Sequence, residues 1–317
     1  MIKTKSPWFW VPTLYFAQGI PYFIVNNISV MMFTKMGVPN GDMALFTSLL
    51  YLPWFIKPFW SPFVDIIKTK RWWTISMQIL MSIAFILLTL TIPTPSAEML
   101  ASQSTPISMF TVTLLLFTIT AFTSATHDIA ADGFYMLALP QKEQAAFVGI
   151  RSTFYRLASI FGQGILVTIA GAIELSSQDI PFSWRITMLV TAVMFSATTL
   201  YHTFFIPRSD NDRSVLGAEK ASPKAIFREF ARSFTTYFKK PGVVLAITFM
   251  LLYRLPEAFL LKLCMPFLVA SKEMGGLALS TAEVGIVYGT IGVIFLTIGG
   301  ILGGIFASRL GLKRSLW

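Results

Sequence analysis

Long apolar runs recur along this chain and are separated by shorter segments that hold most of its charged residues. A run of roughly 20 apolar residues crosses a hydrocarbon core about 30 Å thick, so each run predicts a membrane-spanning helix. We therefore predict an all-α integral membrane protein. The eight predicted spans cover residues 8–33, 43–64, 72–92, 108–136, 146–173, 185–206, 242–270 and 282–307.

A hydrophilic stretch divides the chain into three parts. We predict a six-helix N-terminal bundle over residues 1–206, a linker over 207–241 and the start of a second bundle over 242–317. Within the linker, the segment SPKAIFREFARSFTTYFKK predicts an amphipathic helix, because its phenylalanines recur at helical spacing opposite basic residues. We expect this helix to lie along the inner membrane surface, either as a passive connector or as a partner-binding element.

The distribution of lysine and arginine predicts the orientation of the spans. Most of the 25 basic residues fall in segments that are cytoplasmic if the N-terminus is cytoplasmic, and this excess predicts an inner-membrane protein with that orientation. The same bias accounts for the net charge of +10 without nucleic acid as a partner. With 55% hydrophobic and 13% charged residues, the composition excludes an ordinary soluble domain. A single cysteine excludes a disulfide framework, and we expect neither a metal nor a cofactor.

Landmarks of the first bundle recur after the linker. The first span contains GIPYF around Pro21 and the seventh contains RLPEAF around Pro256. Both prolines fall in mid-span, where the lost backbone hydrogen bond bends or opens a helix. The second span leads into SPFVDIIKTKR and the eighth into GIFASRLGLKR, so a basic pair follows each. Parallel repeats of this kind are typical of transporters.

These loops resemble the signature of the major facilitator superfamily, which runs glycine, three residues, aspartate, arginine, any residue, glycine and a basic pair. The first copy keeps Asp65, Lys70 and Arg71, and the second keeps Arg309 but has Ser308 in place of the aspartate. More specifically, the motifs AQGIPYF, KPFWSPFVD, HDIAADGFY, FYRLAS and YRLPEAF resemble the AmpG-type muropeptide permeases and the related acetyl-coenzyme A transporters.

The resemblance implies a major facilitator fold of twelve spans, six in each half. This chain stops after its eighth predicted span. We therefore expect a fragment that holds the complete N-terminal bundle and the first two helices of the C-terminal bundle, and whose substrate cavity is incomplete.

Charged residues inside the predicted spans are the candidate functional residues, because desolvating an unpaired charge costs several kcal/mol. Asp128 and Asp132 share one face of the fourth span near its cytoplasmic end. Lys57 and Arg151 offer cations at matching depth, and we predict that all four cluster with Asp65. Two interpretations stay open, a latch that breaks as the transporter rocks and a proton carrier. The residues assigned to the cytoplasmic gate are Asp65, Lys57, Lys70, Arg71, Arg151 and Arg309.

His127 stands where the related families have glutamine in the run glutamine–aspartate–isoleucine–alanine. On a helix it points roughly 100° away from Asp128. We interpret it as a local hydrogen-bonding residue rather than a member of a proton relay.

Arg156 lies near the middle of the fifth span, in STFYRLASIFGQG. An arginine there faces an aqueous cavity or a carboxylate, and its planar fork suits a substrate carboxylate or phosphate. A buried ion pair with a neighbouring helix is the alternative. Polar residues near Pro21 are further cavity candidates. The predicted substrate-binding residues are Arg156, Gln18, Tyr22, Asn26, Tyr155 and Gln163.

Glu257 is the leading candidate for proton coupling. It follows Pro256 in the seventh span, and a carboxylate desolvated in a central cavity can bind and release a proton near neutral pH. A static pair with Arg254, three residues earlier, is the alternative. The predicted proton-coupling residues are Glu257, Arg254, Asp128 and Asp132.

The sequence favours a secondary active transporter, since no nucleotide-binding motif occurs and an ion gradient is the remaining energy source. The resemblance implies proton symport of anhydromuropeptides in peptidoglycan recycling, with acetyl-coenzyme A or another anionic solute as the alternative. A non-transporting membrane sensor is a further alternative. We predict no enzymatic activity, because an intramembrane aspartyl protease needs carboxylates from two helices and these share one. We expect a monomer whose partners are an anionic solute, protons and lipid.

Overall fold

The structure is a computed structural model that describes residues 6–213, 223–296 and 298–299. These residues are helical apart from short turns and contain no strand, which confirms the predicted all-α class. Five helices within them are long and apolar enough to cross a membrane, and they coincide with the third to seventh predicted spans. They run over Lys70–Thr91, Ile107–Ala138, Gly149–Ser177, Ile180–Phe205 and Val243–Val269, and a shorter apolar helix covers Thr281–Leu296.

The first two spans are assembled from shorter helical pieces. In the first, Val11–Phe23 continues without a gap into a π-helical turn, Ile24–Ile28, and then into Ser29–Lys35. The π-helical turn begins three residues after Pro21, as expected where proline removes a backbone hydrogen bond. The second span contains several prolines that interrupt it. Its α-helical pieces are Asn40–Leu49, Leu52–Ile56 and Ser61–Ile66.

Two further π-helical turns occur in the fifth and eighth spans. Ile160–Leu166 joins the α-helices Gln141–Ser159 and Val167–Ser177, and Gly285–Gly292 follows Thr281–Val284. The seventh span, in contrast, stays α-helical through Pro256. The sequence predicted that each of the two mid-span prolines bends or opens its helix; of these two, Pro21 alone is followed by a departure from α-helical geometry.

The core of the first bundle lies between the third, fourth and sixth spans, and the first span packs against the fifth. The third, fourth, fifth and sixth spans each bury one side and expose large apolar residues on the other, as a helix bordering lipid does. The first span, in contrast, exposes no residue between Val11 and Lys35. The larger buried side chains of the core include Phe33, Phe85, Phe117, Trp184 and Phe195.

The fifth and eighth spans approach each other so closely that glycine is required. A Cβ atom on Gly289 would lie 1.9 Å from the carbonyl oxygen of Gln163, and one on Gly171 would lie 2.5 Å from the backbone nitrogen of Ala282. Small residues allow this kind of backbone approach between membrane helices. The two π-helical turns therefore pack directly on each other.

The linker helix forms over Pro223–Phe238, as predicted. Phe230 stacks on Phe63 of the second span, with ring centroids 5.5 Å apart, while Phe227 is exposed. The predicted cap, Ser222, lies outside the described residues. The helix thus contacts the end of the first bundle through one of its phenylalanines.

The bundle has two ends, the Lys70 end and the Lys35 end. The Lys70 end contains the turns over residues 67–69, 139–140 and 206–213, and the Lys35 end contains those over 92–96 and 270–280. At the Lys35 end, Glu174 accepts hydrogen bonds from Lys35 at 3.2 Å and from the Thr281 hydroxyl at 2.8 Å. This carboxylate joins the first, fifth and eighth spans at that end.

Candidate functional site

Near the Lys70 end, Asp132 is held by a well-ordered set of contacts. The Oδ1 atom of Asp132 accepts hydrogen bonds from Arg151 Nη2 at 2.6 Å and from the Tyr15 hydroxyl at 2.9 Å. The Arg151 guanidinium lies 4.2 Å from the ring centroid of Tyr15 and 4.4 Å from that of Tyr135. Cation–π contacts and a charge-assisted hydrogen bond thus fix the arginine and tie the first, fourth and fifth spans together.

Asp128, one helical turn earlier, is paired less tightly. Its Oδ2 atom is 3.6 Å from Lys57 Nζ, which is beyond ordinary hydrogen-bond length. Its side chain is nevertheless 13% exposed, against 41% for Asp132. Gln18 of the first span also interacts with this carboxylate. The more buried of the two aspartates therefore has the weaker counter-charge.

Asp65 does not join these two pairs. It forms an ion pair with Lys70, five residues on in the chain. The five residues predicted to cluster therefore fall, together with Lys70, into three separate ion pairs. Two of these pairs, Lys57–Asp128 and Arg151–Asp132, involve the fourth span.

Arg71 and an aspartate that sequence reasoning missed fasten the beginning of the third span. The Arg71 guanidinium donates to the carbonyls of Ile206 and Thr203 at 3.0 and 2.8 Å. The Asp212 carboxylate accepts from the backbone N–H groups of Lys70 and Arg71 at 2.6 and 2.9 Å. An acidic group favours such a helix start. Arg309, the last residue of the predicted gate, lies outside the described residues.

A buried polar chain crosses the first bundle beside the aspartates. The Gln78 amide nitrogen is 2.9 Å from His127 Nε2, and its amide oxygen is 3.0 Å from His202 Nδ1. His202 Nε2 lies 3.0 Å from the hydroxyl of Thr13. This pattern assigns the proton to Nδ1 in both imidazoles. His127 thus bonds to Gln78 of the third span rather than to an aspartate. The sequence did not predict Gln78, His202 or Thr13 as members of this chain.

An open pocket of about 410 Å³ lies between the first and fifth spans. Arg151 borders it, so the cavity adjoins the ion pair of Asp132. Of the predicted substrate-binding residues, Gln18 and Tyr155 line this cavity. The complete lining is Tyr15, Gln18, Arg151, Ser152 and Tyr155.

An aromatic cluster, formed by Tyr22, Tyr51, Trp54 and Tyr155, lies next to this cavity. The ring centroid of Tyr22 is 5.2 Å from that of Trp54, 6.2 Å from that of Tyr51 and 6.4 Å from that of Tyr155. The Tyr22 and Tyr51 hydroxyls are hydrogen-bonded, and Tyr155 interacts electrostatically with both and with Asp128. Sequence reasoning missed Tyr51 and Trp54, which belong to the interrupted second span.

The remaining predicted substrate residues have different surroundings. The Gln163 amide donates to Ser159 at 2.7 Å and the Asn26 amide to the Tyr22 carbonyl at 3.0 Å, so both amides are used within their own helices. Arg156 is half-buried, and no carboxylate of the described residues pairs with it.

The two charged residues around Pro256 are only partly defined. Glu257 is exposed on the seventh span and interacts electrostatically with Tyr51 of the aromatic cluster. The side chain of Arg254 lies outside the described part of the structure, so its predicted pairing with Glu257 stays a prediction.

The sequence comparison assigns the family. The sequence model of the Major Facilitator Superfamily matches residues 13–317. The chain belongs to this family. It is therefore a multi-pass membrane protein of a transporter family rather than an enzyme, as predicted.

Two relatives support the finer resemblance. The chain is 25% identical over 309 residues to the anhydromuropeptide permease of Escherichia coli K12, covering 95% of this chain and 55% of that protein. It is 26% identical over 312 residues to the putative transporter AmpG 4 of Rickettsia conorii, covering 94% and 67%. The resemblance to AmpG-type permeases is thus confirmed, and the chain spans about half the length of the Escherichia coli relative.

The fold resembles that of a bacterial homologue of the human lysosomal transporter Spinster, in an inward-facing and unoccupied conformation. The TM-score is 0.51 at 18% identity, with 96% of this chain and 61% of that chain covered. At this identity the likeness concerns the fold alone.

Proposed function

We propose that the protein is a proton-coupled secondary transporter that moves anhydromuropeptides, or similar anionic amino-sugar and peptide solutes, across the inner membrane by alternating access. The observation that carries this proposal is an open pocket of about 410 Å³ between two spans, whose lining includes Arg151 and Gln18. Arg151 pairs with Asp132, and Gln18 interacts with the more buried Asp128. Family membership and the name of the Escherichia coli relative support the substrate class.

The basic residues support an orientation in which the Lys70 end faces the cytoplasm. The Lys35 end is then periplasmic, and Glu174 and the glycine contacts of the fifth and eighth spans hold the two bundles together there. Such an arrangement corresponds to an inward-facing state, from which a solute leaves toward the cytoplasm.

The two aspartates have different roles in this proposal. Asp132, bonded to Arg151 and Tyr15, acts as part of the cytoplasmic gate. Asp128 is more buried and only loosely paired with Lys57, so its charge is less compensated and protonation is the less costly alternative there. Asp128 and Glu257 are therefore the carboxylates that we assign to proton coupling.

We assign Arg156 to binding an anionic group of the solute. Half-buried and without a carboxylate partner among the described residues, it is available to an anionic group that enters from the cavity side. Its neighbour Tyr155 lines the cavity, which brings the backbone of Arg156 to the same level of the fifth span.

The test is uptake by vesicles that contain the protein as its gene encodes it. Anhydromuropeptide and acetyl-coenzyme A are compared, each with and without an imposed pH gradient. We expect accumulation of the muropeptide that requires the gradient. Uptake of acetyl-coenzyme A alone would establish the alternative substrate, and uptake of neither would favour a sensor.

Matched variants test the assignment of the carboxylates. Asp128→Asn and Glu257→Gln should abolish gradient-driven accumulation but spare exchange of labelled for unlabelled solute, because exchange needs no net proton movement. Asp132→Asn should slow both processes while accumulation persists. If Asp128→Asn accumulates solute as the wild type does, its coupling role is wrong.

A further inference from the structure

Lys262 is a charged residue for which neither the fold nor the proposed function has so far given a role. It lies in the seventh span, seven residues before the helix ends at Val269. That distance corresponds to about 10 Å along the helix, so the ammonium group lies within the hydrocarbon region. A lysine at this depth requires a compensating partner.

The described partners of Lys262 are neutral. Its Nζ atom donates to the Thr47 hydroxyl at 3.2 Å and lies 4.6 Å from the ring centroid of Tyr51. No carboxylate of the described residues pairs with it. A hydroxyl and an aromatic face orient the ammonium group but leave its charge uncompensated.

Lys262 contacts the aromatic cluster through the ring of Tyr51. In that cluster the Tyr51 and Tyr22 hydroxyls are hydrogen-bonded, and Tyr155 interacts electrostatically with both and with Asp128. On the other side of Tyr22, the indole Nε1 of Trp54 is buried and has no hydrogen-bond acceptor among the described residues. Among the described residues, the cluster and Lys262 therefore combine apolar ring faces with a cation that has no carboxylate partner and an indole N–H that has no acceptor.

We propose that this cluster is a solute subsite in which Lys262 binds a carboxylate and the rings of Tyr22 and Trp54 contact a sugar face. The inference rests on the proposed function and specifies its substrate class as an amino sugar that carries an acidic group. Sugar rings present C–H groups that pack on aromatic faces, and their acetamido oxygens accept hydrogen bonds from donors such as the Trp54 indole.

The position of the subsite gives it a distinct place along the route. Lys262 meets Thr47 near the closed Lys35 end, whereas Arg151 and Tyr155 border the cavity nearer the Lys70 end. A solute of two sugar rings whose carboxylate binds Lys262 extends past the tyrosines of the aromatic cluster toward Asp128. Its carboxylate is thereby recognised before the cytoplasmic gate is reached.

The experiment compares an acid with its neutral twin on the protein as its gene encodes it, in lipid nanodiscs. The acid is the disaccharide N-acetylglucosaminyl-anhydro-N-acetylmuramic acid, whose ionisable group is one carboxylate, and the twin is its methyl ester. Calorimetry gives the Kd of each, and the ratio of the two measures carboxylate recognition. We expect the wild type to prefer the acid by about tenfold or more, the effect of a hydrogen bond to a charged group.

Lys262→Gln should reduce this ratio to near one, and Lys262→Arg should retain most of it. Thr47→Val is the matched control: it removes the hydroxyl that Lys262 contacts but keeps the charge, so the ratio should persist. Lys262→Met replaces the glutamine variant if that variant does not fold.

An unchanged ratio in the Lys262 variants would overturn the subsite, most clearly if Arg156→Gln abolished the ratio instead. In that case the proposed function stands, because the wild type still binds the acid. If the wild type binds neither compound, the substrate class of the proposed function fails and the subsite fails with it.

Discussion

Replacing Gly289 by alanine should separate the fifth and eighth spans at the Lys35 end. The added Cβ would lie 1.9 Å from the carbonyl oxygen and 2.2 Å from the carbonyl carbon of Gln163, and 2.5 Å from the nitrogen of Gly164. All three are backbone atoms, so no side-chain rotation relieves the contact. The helices themselves have to move.

The required movement and its cost follow from these distances. Ordinary van der Waals contact begins at 3.4 Å, so the shortest approach has to grow from 1.9 Å by about 1.5 Å. Overpacking of a tight contact costs about 1–3 kcal/mol. That cost applies only while the Lys35 end is closed, so it shifts the equilibrium toward the open end by about 5- to 150-fold.

Pulsed electron spin resonance measures the shift directly. Spin labels are placed at Leu175 and Leu277, which are exposed at the Lys35 end, in a background where other cysteines, Cys264 among them, are replaced. We expect Gly289→Ala to increase the population of longer distances and to slow solute release. Gly149→Ala is the control, because a Cβ at Gly149 meets no atom within 4 Å.

An unchanged distance distribution in Gly289→Ala would refute the reasoning. So would an equal change in Gly149→Ala, since the effect would then not depend on the contact between the two spans.

Three further predictions concern other contacts. Gln78→Leu removes the amide that bonds to two buried histidines; leaving such groups unsatisfied costs about 1–3 kcal/mol each, so the thermal unfolding temperature should fall, and the exposed Gln141→Leu should leave it unchanged. Asp212→Ala deprives the third span of its carboxylate cap and should lower stability by about 1 kcal/mol, measured by denaturant unfolding in micelles, whereas an effect equal to that of Asp210→Ala would contradict the cap. Lys35→Gln breaks the ion pair with Glu174 and should raise the long-distance population in the spin-label assay, and a decrease would contradict the closing role.

The apolar pattern predicted the helices well, because span length and composition are local properties. The third to seventh predicted spans agree with the long apolar helices within a few residues. The prediction for the second span was less accurate, because its prolines divide it into short helices that a hydropathy window averages together.

The candidate site was harder to predict, because its contacts join distant parts of the chain. Lys262 meets Thr47 across 215 residues and Gln78 meets His202 across 124, and no sequence spacing indicates either contact. Asp65 illustrates the opposite case, since its actual partner is five residues away, nearer than the aspartates and arginine it was expected to join.

The hydrogen-bonded chain through Gln78 has a mechanical consequence. It links the first, third, fourth and sixth spans through polar side chains. Inside a membrane, water is not available to replace the hydrogen bonds between these side chains. Sliding any one of these helices past the others would leave several buried dipoles without partners at once. The four helices therefore form a stiff block, and in the proposed transport cycle we expect motion at the contacts of this block with the other spans.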